Sequence, residues 1–324
     1  MKLLYKYAII AFITLSFWNC DGGSEPSNLG LLALATASPV SQEPAGITFQ
    51  AVVGSSLAVC GGEITGHGEA HTSSTVTIMH VAGVMPIGLR DLRFYVSEFE
   101  LVDEDDNIIT ANVPDDGVWQ YSGITLLDFE NKTGSCTGTV ATNKIVKTVL
   151  ENKSYKTVRF TLGIPESLNH GNSSIAPSPL NISGMAWSWL SGYRFFVGEF
   201  VSMDAAAAGN YAQLHIGSTG CTEPTPGNYS CTNANRARIS LSPSGGFNPY
   251  TQNIQFDLKK AVAASPVGSP TTWAGWSISS GNKTCHSMGA MDAACADVFP
   301  NFGLDYGTGN AGTAEQTVFN VVSK

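Results

Sequence analysis

The clearest pattern in this chain is an alternation of apolar and polar residues with a period of two. Three segments carry it: Leu92/Phe94/Val96, Val158/Phe160/Leu162 and Ile254/Phe256/Leu258. Successive side chains of a β-strand point to opposite faces, so such a period is typical of a strand with one buried face. The pattern predicts half-buried β-strands in all three segments.

Turn-forming residues separate the alternating segments. Clusters of Asp, Asn, Gly, Ser and Pro lie at residues 103–107, 115–117, 224–227 and 242–246. Such residues favour tight turns, and no run of ten or more residues shows an apolar helical stripe with caps. Neither an internal repeat nor a second linker is evident. The chain is therefore predicted to form one all-β domain over residues 46–324, a β-sandwich or barrel-like body with long disulfide-held loops and few short helices.

The composition excludes several classes of protein. Hydrophobic residues make up 43% of the chain and charged residues 13%, with 34 Gly and 15 Pro, which does not fit a coiled coil, a multi-span membrane protein or a charged disordered chain. The formal net charge of −9 argues against a surface that binds nucleic acid or anionic lipid.

The first 45 residues are typical of an export signal and a tether. A basic start is followed by an apolar stretch from Tyr7 to Trp18, which is too short to span a bilayer, and then by Cys20. We expect a signal peptide over 1–19 and a lipidated Cys20, with an ordinary signal peptide cut nearby as the alternative. Residues 20–45 have the composition of a flexible linker. The predicted product is exported and lipid-anchored, in the periplasm or at the outer-membrane surface.

Six cysteines follow Cys20, and an even number in an exported protein favours disulfides. The short separations favour the pairs Cys221–Cys231 and Cys285–Cys295, which leaves Cys60–Cys136. Because the chain contains no C-x-x-C pair, a zinc ribbon or a thioredoxin-like redox centre has little support.

The common hydrolase and nucleotide-binding signatures are missing, so we expect a binding protein and not an enzyme. A metal would be sought first among the six histidines. His67 and His71 have i,i+4 spacing, but the glycines beside His67 oppose a helix and favour a polar loop. The run at 285–288, with Met291 and Cys295, offers sulfur ligands to Cu(I) only when the cysteines are reduced. The acidic turn at 103–107 is better explained as a solvated hairpin tip than as a Ca²⁺ site.

The segment 163–196 concentrates Trp187, Trp189 and His170 among glycines. Aromatic residues at this density usually pack in a core with a polar group at its edge. The alternative is a site in which His170 and a second imidazole hold a soft or borderline metal ion. His215 is the best second imidazole, because it ends a short apolar run just before Cys221.

Six separated motifs, taken in order, resemble one known family. They read DLRFYVSEFELVDEDDN, LLDFENKTGSC, VRFTLGIPESLNH, PLNISGMAWSWLSGYRF, LHIGSTGC and a final pair of cysteines in C…CADVFPNFGL. Together they are similar to the MbnP-like periplasmic copper-binding proteins, also described as the four-Cys protein of a metallo-mystery pair. The resemblance runs from about residue 47 to 321.

The resemblance implies a copper-binding protein without turnover, encoded beside a di-haem MauG-like cytochrome peroxidase. In that family the haem partner oxidises a tryptophan to kynurenine, and the new amine joins histidines in binding copper. The matching positions here are His170 and His215 for the metal, and Trp187 or Trp189 for the modification. The chain departs from the family's usual form at residues 61–75 and at Leu190.

These observations lead to two functional hypotheses. The first is an extracytoplasmic copper-binding lipoprotein that sequesters or delivers copper and docks a di-haem partner near the tryptophans. The second is a surface adhesion or structural lipoprotein without a metal. A copper oxidase has the least support, because the chain lacks the several closely spaced histidine pairs that a multicopper centre needs.

Overall fold

The computed structural model describes residues 46–60, 87–188, 190–202, 209–262, 283–287 and 295–324. The predicted signal peptide, Cys20 and the tether lie outside the described residues. The same is true of His67, His71, Trp189, Met288 and Met291. Within the described part of the chain, no helix is both long and apolar enough to cross a membrane.

The described residues form two main sheets and two separate hairpins. The first sheet contains β1 (Ile47–Val53), β2 (Ser56–Leu57), β7 (Ile145–Val146), β16 (Gln252–Asp257) and β18 (Phe319–Ser323). The second contains β3 (Ile87–Val102), β4 (Ile108–Thr110), β5 (Gln120–Tyr121), β6 (Ile124–Asp128), β8 (Thr157–Leu162), β11 (Phe196–Ser202), β12 (Tyr211–Ile216), β15 (Ala237–Leu241) and β17 (Lys283–Cys285). The hairpins pair β9 (Ala186–Ser188) with β10 (Gly192–Tyr193), and β13 (Thr219–Thr225) with β14 (Asn228–Asn233).

Helical structure is confined to short pieces among the described residues. The α-helices are α1 (Glu166–Asn169) and α2 (Leu258–Ala261), and 3-10 turns span Ser183–Met185 and Phe299–Phe302. The prediction of a mostly β domain with few short helices is therefore confirmed.

A cluster of phenylalanines joins the two main sheets. Phe49 on β1 packs edge to face against Phe160 on β8, with ring centroids 5.5 Å apart. Phe256 on β16 lies 5.3 Å from Phe94 on β3 and 5.4 Å from Phe196 on β11. Aromatic pairs of this kind add about 0.5–1.5 kcal/mol each beyond the burial of their surface. The sheets consequently stack face to face as a β-sandwich with an aromatic core.

The long strand β3 is buried on both faces, which corrects the prediction of a half-buried strand there. Leu92 and Phe94 face the core, while Arg93 and Tyr95 on the opposite face are also buried. The Tyr95 hydroxyl donates to the carbonyl of Pro179 at 2.9 Å, so the chain around residue 179 covers this outer face. Buried charge is tolerated when it is paired, and Arg93 Nε donates to Asp91 Oδ1 at 2.7 Å.

The third alternating segment ends one residue earlier than its pattern predicts. Leu258 begins helix α2 and does not extend strand β16. Asp257 caps this helix, because its side chain accepts a hydrogen bond from the Lys259 backbone N–H at 2.9 Å.

The acidic turn is the tip of a hairpin, as predicted. Strands β3 and β4 pair on either side of it. Asp103 Oδ1 accepts the backbone N–H groups of Asp105 and Asn107 at 3.0 and 2.9 Å. This carboxylate therefore stabilises its own turn.

Three disulfides join Cys60 to Cys136, Cys221 to Cys231 and Cys285 to Cys295. These are the pairs that the sequence spacing favours. Disulfides persist in oxidising compartments outside the cytoplasm, so this set indicates an extracytoplasmic protein.

Candidate metal centre

A cavity of about 850 Å³ lies at one edge of the larger sheet. Two imidazoles, an indole, a carboxylate and a guanidinium line it, from His215, His286, Trp187, Glu199 and Arg194. A concave site with a few convergent polar groups is the usual form of a ligand-binding site. The cavity is therefore the candidate functional site of the described chain.

His215 and His286 lie side by side because their strands are neighbours. Strands β12 and β17 pair in parallel, with Leu214 opposite Cys285, so His286 follows level with His215. Their rings are stacked, with centroids 4.9 Å apart and planes 24° apart. Two imidazoles therefore stand together at the wall of the cavity.

Two contacts hold the backbone that carries His286. The buried Ser287 hydroxyl donates to the carbonyl of His215 at 2.9 Å. On the other side of His286, Cys285 is fully buried and bonded to Cys295. The position of His286 is consequently fixed by the fold and not by an exposed loop.

Glu199 fixes the imidazole of His215. Its Oε1 lies 2.8 Å from His215 Nε2 and also accepts a hydrogen bond from Gln213 Nε2 at 3.0 Å. Burial alone would raise the pKa of Glu199, but the hydrogen bond from His215 and the nearby charge of Arg90 lower that pKa below its ordinary value. An ionised carboxylate only accepts hydrogen bonds, so Nε2 carries the proton and Nδ1 carries the lone pair that can bind a metal.

Trp187 is the tryptophan of the MAWSW motif that the structure describes, and it lines the cavity from strand β9. A Cβ added at Gly217 would lie 2.7 Å from the six-membered ring of Trp187 and 2.6 Å from the carbonyl of Tyr193. The absence of a side chain at Gly217 therefore lets the indole pack against the backbone after β12. Trp189 lies outside the described residues.

His170 lies against the β13–β14 hairpin, whose Cys221 lines the cavity. It follows helix α1, stacks on Tyr229 with ring centroids 4.5 Å apart, and places Nε2 3.3 Å from Sγ of Cys231. It is not among the described residues that line the cavity. The structure thus puts His286 against His215, and sequence reasoning had assigned His286 to a sulfur-rich run instead of to the metal pair.

The donor set suits a borderline or soft metal ion. Neutral imidazoles bind copper and zinc, whereas calcium and magnesium need several oxygen ligands. Of the described residues that line the cavity, Glu199 alone carries a carboxylate, and His215 already occupies it. The residues present therefore fit copper, with His215 and His286 as nitrogen donors.

Comparison with known proteins is consistent with this fold. The sequence matches the family model described as MbnP over residues 42–287, a span that includes both imidazoles of the pair. The fold resembles the solved structure of MbnP from Methylosinus trichosporium, with a TM-score of 0.64, 24% identity, and coverage of 87% of this chain and 98% of that chain. No curated protein matches this chain in sequence.

Proposed function

This chain belongs to the MbnP family, and we propose on that premise that it is an extracytoplasmic copper-binding protein that sequesters or delivers copper. The observation that supports the proposal most directly is the stacked pair of His215 and His286 in one cavity. Imidazole is a good ligand for either oxidation state of copper. Copper is then the cargo of the protein, and no turnover is required.

The two imidazoles of the cavity and the carboxylate beside them have distinct parts in this proposal. His215 and His286 supply nitrogen donors, and Glu199 holds His215 in the tautomer that turns Nδ1 to the metal. A carboxylate behind a metal-binding histidine commonly orients the ring and raises its basicity. Arg90 Nε lies 3.4 Å from the other oxygen of Glu199 and balances the charge of this carboxylate.

The family premise extends the proposal to a modified tryptophan. A di-haem MauG-like partner would oxidise Trp187 or Trp189 to kynurenine. The indole ring would gain two oxygen atoms from the oxidant that the partner uses, and hydrolysis would then release the formyl carbon as formate. An indole nitrogen is only a hydrogen-bond donor, whereas the opened ring carries an amine with a lone pair. Trp187 already lines the cavity of the two imidazoles, so its amine would arise beside them. A lipid on Cys20 would hold the protein at a membrane surface.

Copper binding by single-histidine variants tests the metal site. We expect His215→Ala and His286→Ala each to lower copper affinity about tenfold or more, measured by competition with a chromogenic chelator and by ICP-MS. His170→Ala, in the oxidised protein, is the matched control and should keep both stoichiometry and affinity. If His170→Ala loses copper while His286→Ala retains it, the pair proposed here is wrong.

Mass spectrometry of the protein from its native host tests the modification and the partner. A peptide containing Trp187 and Trp189 that has gained two oxygen atoms and lost CO, together with stoichiometric copper, would support both. An unmodified peptide with copper bound would reduce the site to its histidines. An unmodified protein that takes up no added copper would favour the adhesion or structural hypothesis.

A further inference from the structure

The β13–β14 hairpin holds two sulfur atoms together independently of their covalent bond. Cys221 lies directly opposite Cys231, between the flanking pairs Thr219–Asn233 and Thr222–Ser230. Directly opposed residues of an antiparallel pair keep their Cβ atoms about 4.5–5.5 Å apart. If the disulfide opens, the strand pairing therefore keeps the two thiols adjacent.

An imidazole completes a cluster of three potential ligands at this hairpin. Nε2 of His170 and the sulfur atoms of Cys221 and Cys231 all lie within 4.8 Å of one another. The ring of His170 stacks on Tyr229 of the same hairpin. His170 also follows Asn169, a buried residue whose side chain accepts the Tyr193 backbone N–H at 3.0 Å. Asn169 Nδ2 lies 3.4 Å from Nε2 of His170, so the imidazole is placed by Tyr229 on one side and by Asn169 on the other.

The other two disulfides do not offer an equivalent cluster in the described part of the chain. Cys285 and Cys295 are fully buried and are not part of such a group. Cys60 and Cys136 lie near Glu130, but its carboxylate accepts backbone N–H groups at 3.3, 3.0 and 2.7 Å and closes its own loop. The hairpin disulfide therefore differs from the other two disulfides, because an imidazole, that of His170, lies beside its two sulfur atoms.

We infer that two-electron reduction of the Cys221–Cys231 disulfide converts this hairpin into a Cys₂His site for a soft or borderline cation such as Cu(I) or Zn²⁺. A dithiol is the reductant: its two sulfurs join in a disulfide, and its two electrons and two protons pass to Cys221 and Cys231. Metal binding then releases the two thiol protons to solvent. In the disulfide form neither sulfur is a thiolate, so the site exists only after reduction.

The arrangement is compatible with the coordination of such ions. Metal–sulfur bonds of about 2.3 Å and metal–nitrogen bonds of about 2.0–2.1 Å place the ligand atoms of a tetrahedral site roughly 3.4–3.8 Å apart. Nε2 of His170 is already 3.3 Å from Sγ of Cys231, and reduction lets the two bonded sulfur atoms move apart to such a distance. Both cysteines are partly exposed, which gives a small dithiol access. Cys221 also lines the cavity of His215 and His286, so the reduced site would add thiolate ligands at its wall. The inference does not rest on copper binding by that pair.

Cobalt titration of the reduced protein tests the inference. The full mature chain is treated anaerobically with dithiothreitol and desalted, and alkylation with peptide mapping identifies which cysteines have opened. We expect the reduced protein to bind one equivalent of Co²⁺ with a sulfur-to-cobalt charge-transfer band, which Zn²⁺ abolishes. The oxidised protein should show no such band.

Three variants test whether the charge-transfer band comes from these residues. His170→Ala should lower the Co²⁺ affinity of the reduced protein about tenfold or more. His286→Ala should lower it less, because His286 is not part of the group of ligand atoms that lie within 4.8 Å of one another. A protein that does not bind copper at His215 and His286 could therefore still show the cobalt band of the reduced hairpin, and the two proposals can fail separately. A Cys221→Ser/Cys231→Ser double variant should give no band after the same reduction.

Three results would overturn the inference. One is an equal charge-transfer band in the double variant, which would place the metal on other cysteines. Another is unchanged affinity in His170→Ala. The third is a loss of the far-ultraviolet circular dichroism signal on reduction that Zn²⁺ does not restore. Recovery of this signal on addition of Zn²⁺ would support the site.

Discussion

Glu199 and His215 form a buried carboxylate–imidazole pair across strands β11 and β12, with Oε1 2.8 Å from Nε2. They occupy diagonal positions, since His215 lies opposite Val197 and Glu199 lies opposite Gln213. The same carboxylate is 3.4 Å from Arg90 Nε through its other oxygen. The tautomer and direction of the imidazole are consequently set by the sheet, before any metal binds.

The first prediction is that Glu199 controls copper affinity without binding copper. Glu199→Ala removes the acceptor for Nε2, so we expect copper affinity to fall about 10- to 100-fold. Glu199→Gln retains a carbonyl oxygen that can accept this hydrogen bond, so its copper affinity should fall by a smaller factor. Chelator competition measures both variants, and circular dichroism verifies their fold.

A matched change elsewhere on the same sheet separates a local effect from a general one. Glu98 lies on the neighbouring strand β3, and its side chain is 45% exposed. Its Oε1 is 2.7 Å from Nη2 of Arg236. Glu98→Gln removes the same charge and should leave copper affinity unchanged. Equal affinities in Glu199→Ala and the wild type would show that the fold alone orients His215.

The second prediction concerns the glycine that makes room for Trp187. Gly217→Ala places a methyl group 2.6 Å from the Tyr193 carbonyl and 2.7 Å from the Trp187 ring, so the indole or the backbone must move. Overpacking of this kind costs about 1–3 kcal/mol. We expect a lower Tm together with a changed tryptophan fluorescence spectrum.

Gly171→Ala is the corresponding control. A Cβ at Gly171 meets its nearest atom at 3.6 Å, which is an ordinary contact. This variant should keep both the Tm and the fluorescence of the wild type. A Gly217→Ala protein with an unaltered spectrum would contradict the close packing of Trp187.

Local sequence patterns predict those features of the molecule that depend on residues close together in the chain. The alternation around Phe160 identifies strand β8, and the ten-residue separations identify two disulfides. The burial of Arg93 is not predicted by its own segment. Its partner Asp91 lies on the same strand, but the chain around residue 179 that covers this face is distant in sequence.

The position of His286 depends on a contact that local patterns do not encode. Strand β17 joins β12 in parallel across more than sixty residues of sequence, and a three-residue strand carries almost no periodic signal. His170 is the opposite case: its segment is rich in aromatic residues, yet its neighbours are Tyr229 and Cys231 of a hairpin. Sequence reasoning therefore selected His215, which lines the cavity, but not His286 beside it. The metal-binding roles assigned to His170 and His215 from sequence stay predictions.

The third prediction is that Asp128 makes the protein less stable as the pH rises. Asp128 is buried, and this burial together with the charge of Glu130 raises its pKa to about 8 despite the opposing charge of Arg93. Between about pH 4 and 8 the unfolded chain has lost this proton while the folded chain keeps it, so stability falls as the pH increases. Urea unfolding at several pH values measures this slope.

Asp128→Asn removes the ionisable carboxyl group and retains a side-chain oxygen that can accept the hydrogen bond from the Glu130 backbone N–H. We expect the variant to be more stable than the wild type at pH 8 by about 1–3 kcal/mol, with a smaller difference near pH 4. A difference that does not change with pH would show that Asp128 is ionised in the folded protein throughout this range.

The fourth prediction has the opposite sign and concerns Asp116, in the turn before β5. Its Oδ1 accepts the backbone N–H groups of Val118, Trp119 and Gln120 at 2.9, 2.6 and 2.8 Å, and its Oδ2 accepts Lys147 Nζ at 2.8 Å. Although burial opposes ionisation, these hydrogen bonds lower the pKa of Asp116 to about 2. Its stabilising effect is therefore complete above about pH 4 and is lost as the pH falls towards 2.

Asp116→Asn should consequently lower stability at pH 7 and make less difference at pH 2. The Lys147 ammonium is 55% exposed, so solvent screens its share, and the backbone hydrogen bonds dominate. Asn keeps a side-chain oxygen for the backbone N–H groups but not its charge. Hydrogen bonds to charged groups contribute about 1.5–3 kcal/mol and neutral ones about 0.5–1.5 kcal/mol, so the exchange should cost about 1 kcal/mol. Lys147→Met, which removes only the ion pair, should cost less than Asp116→Asn when both are measured by urea unfolding. If the lysine variant is the more destabilised of the two, the ion pair and not the turn would be the main role of Asp116.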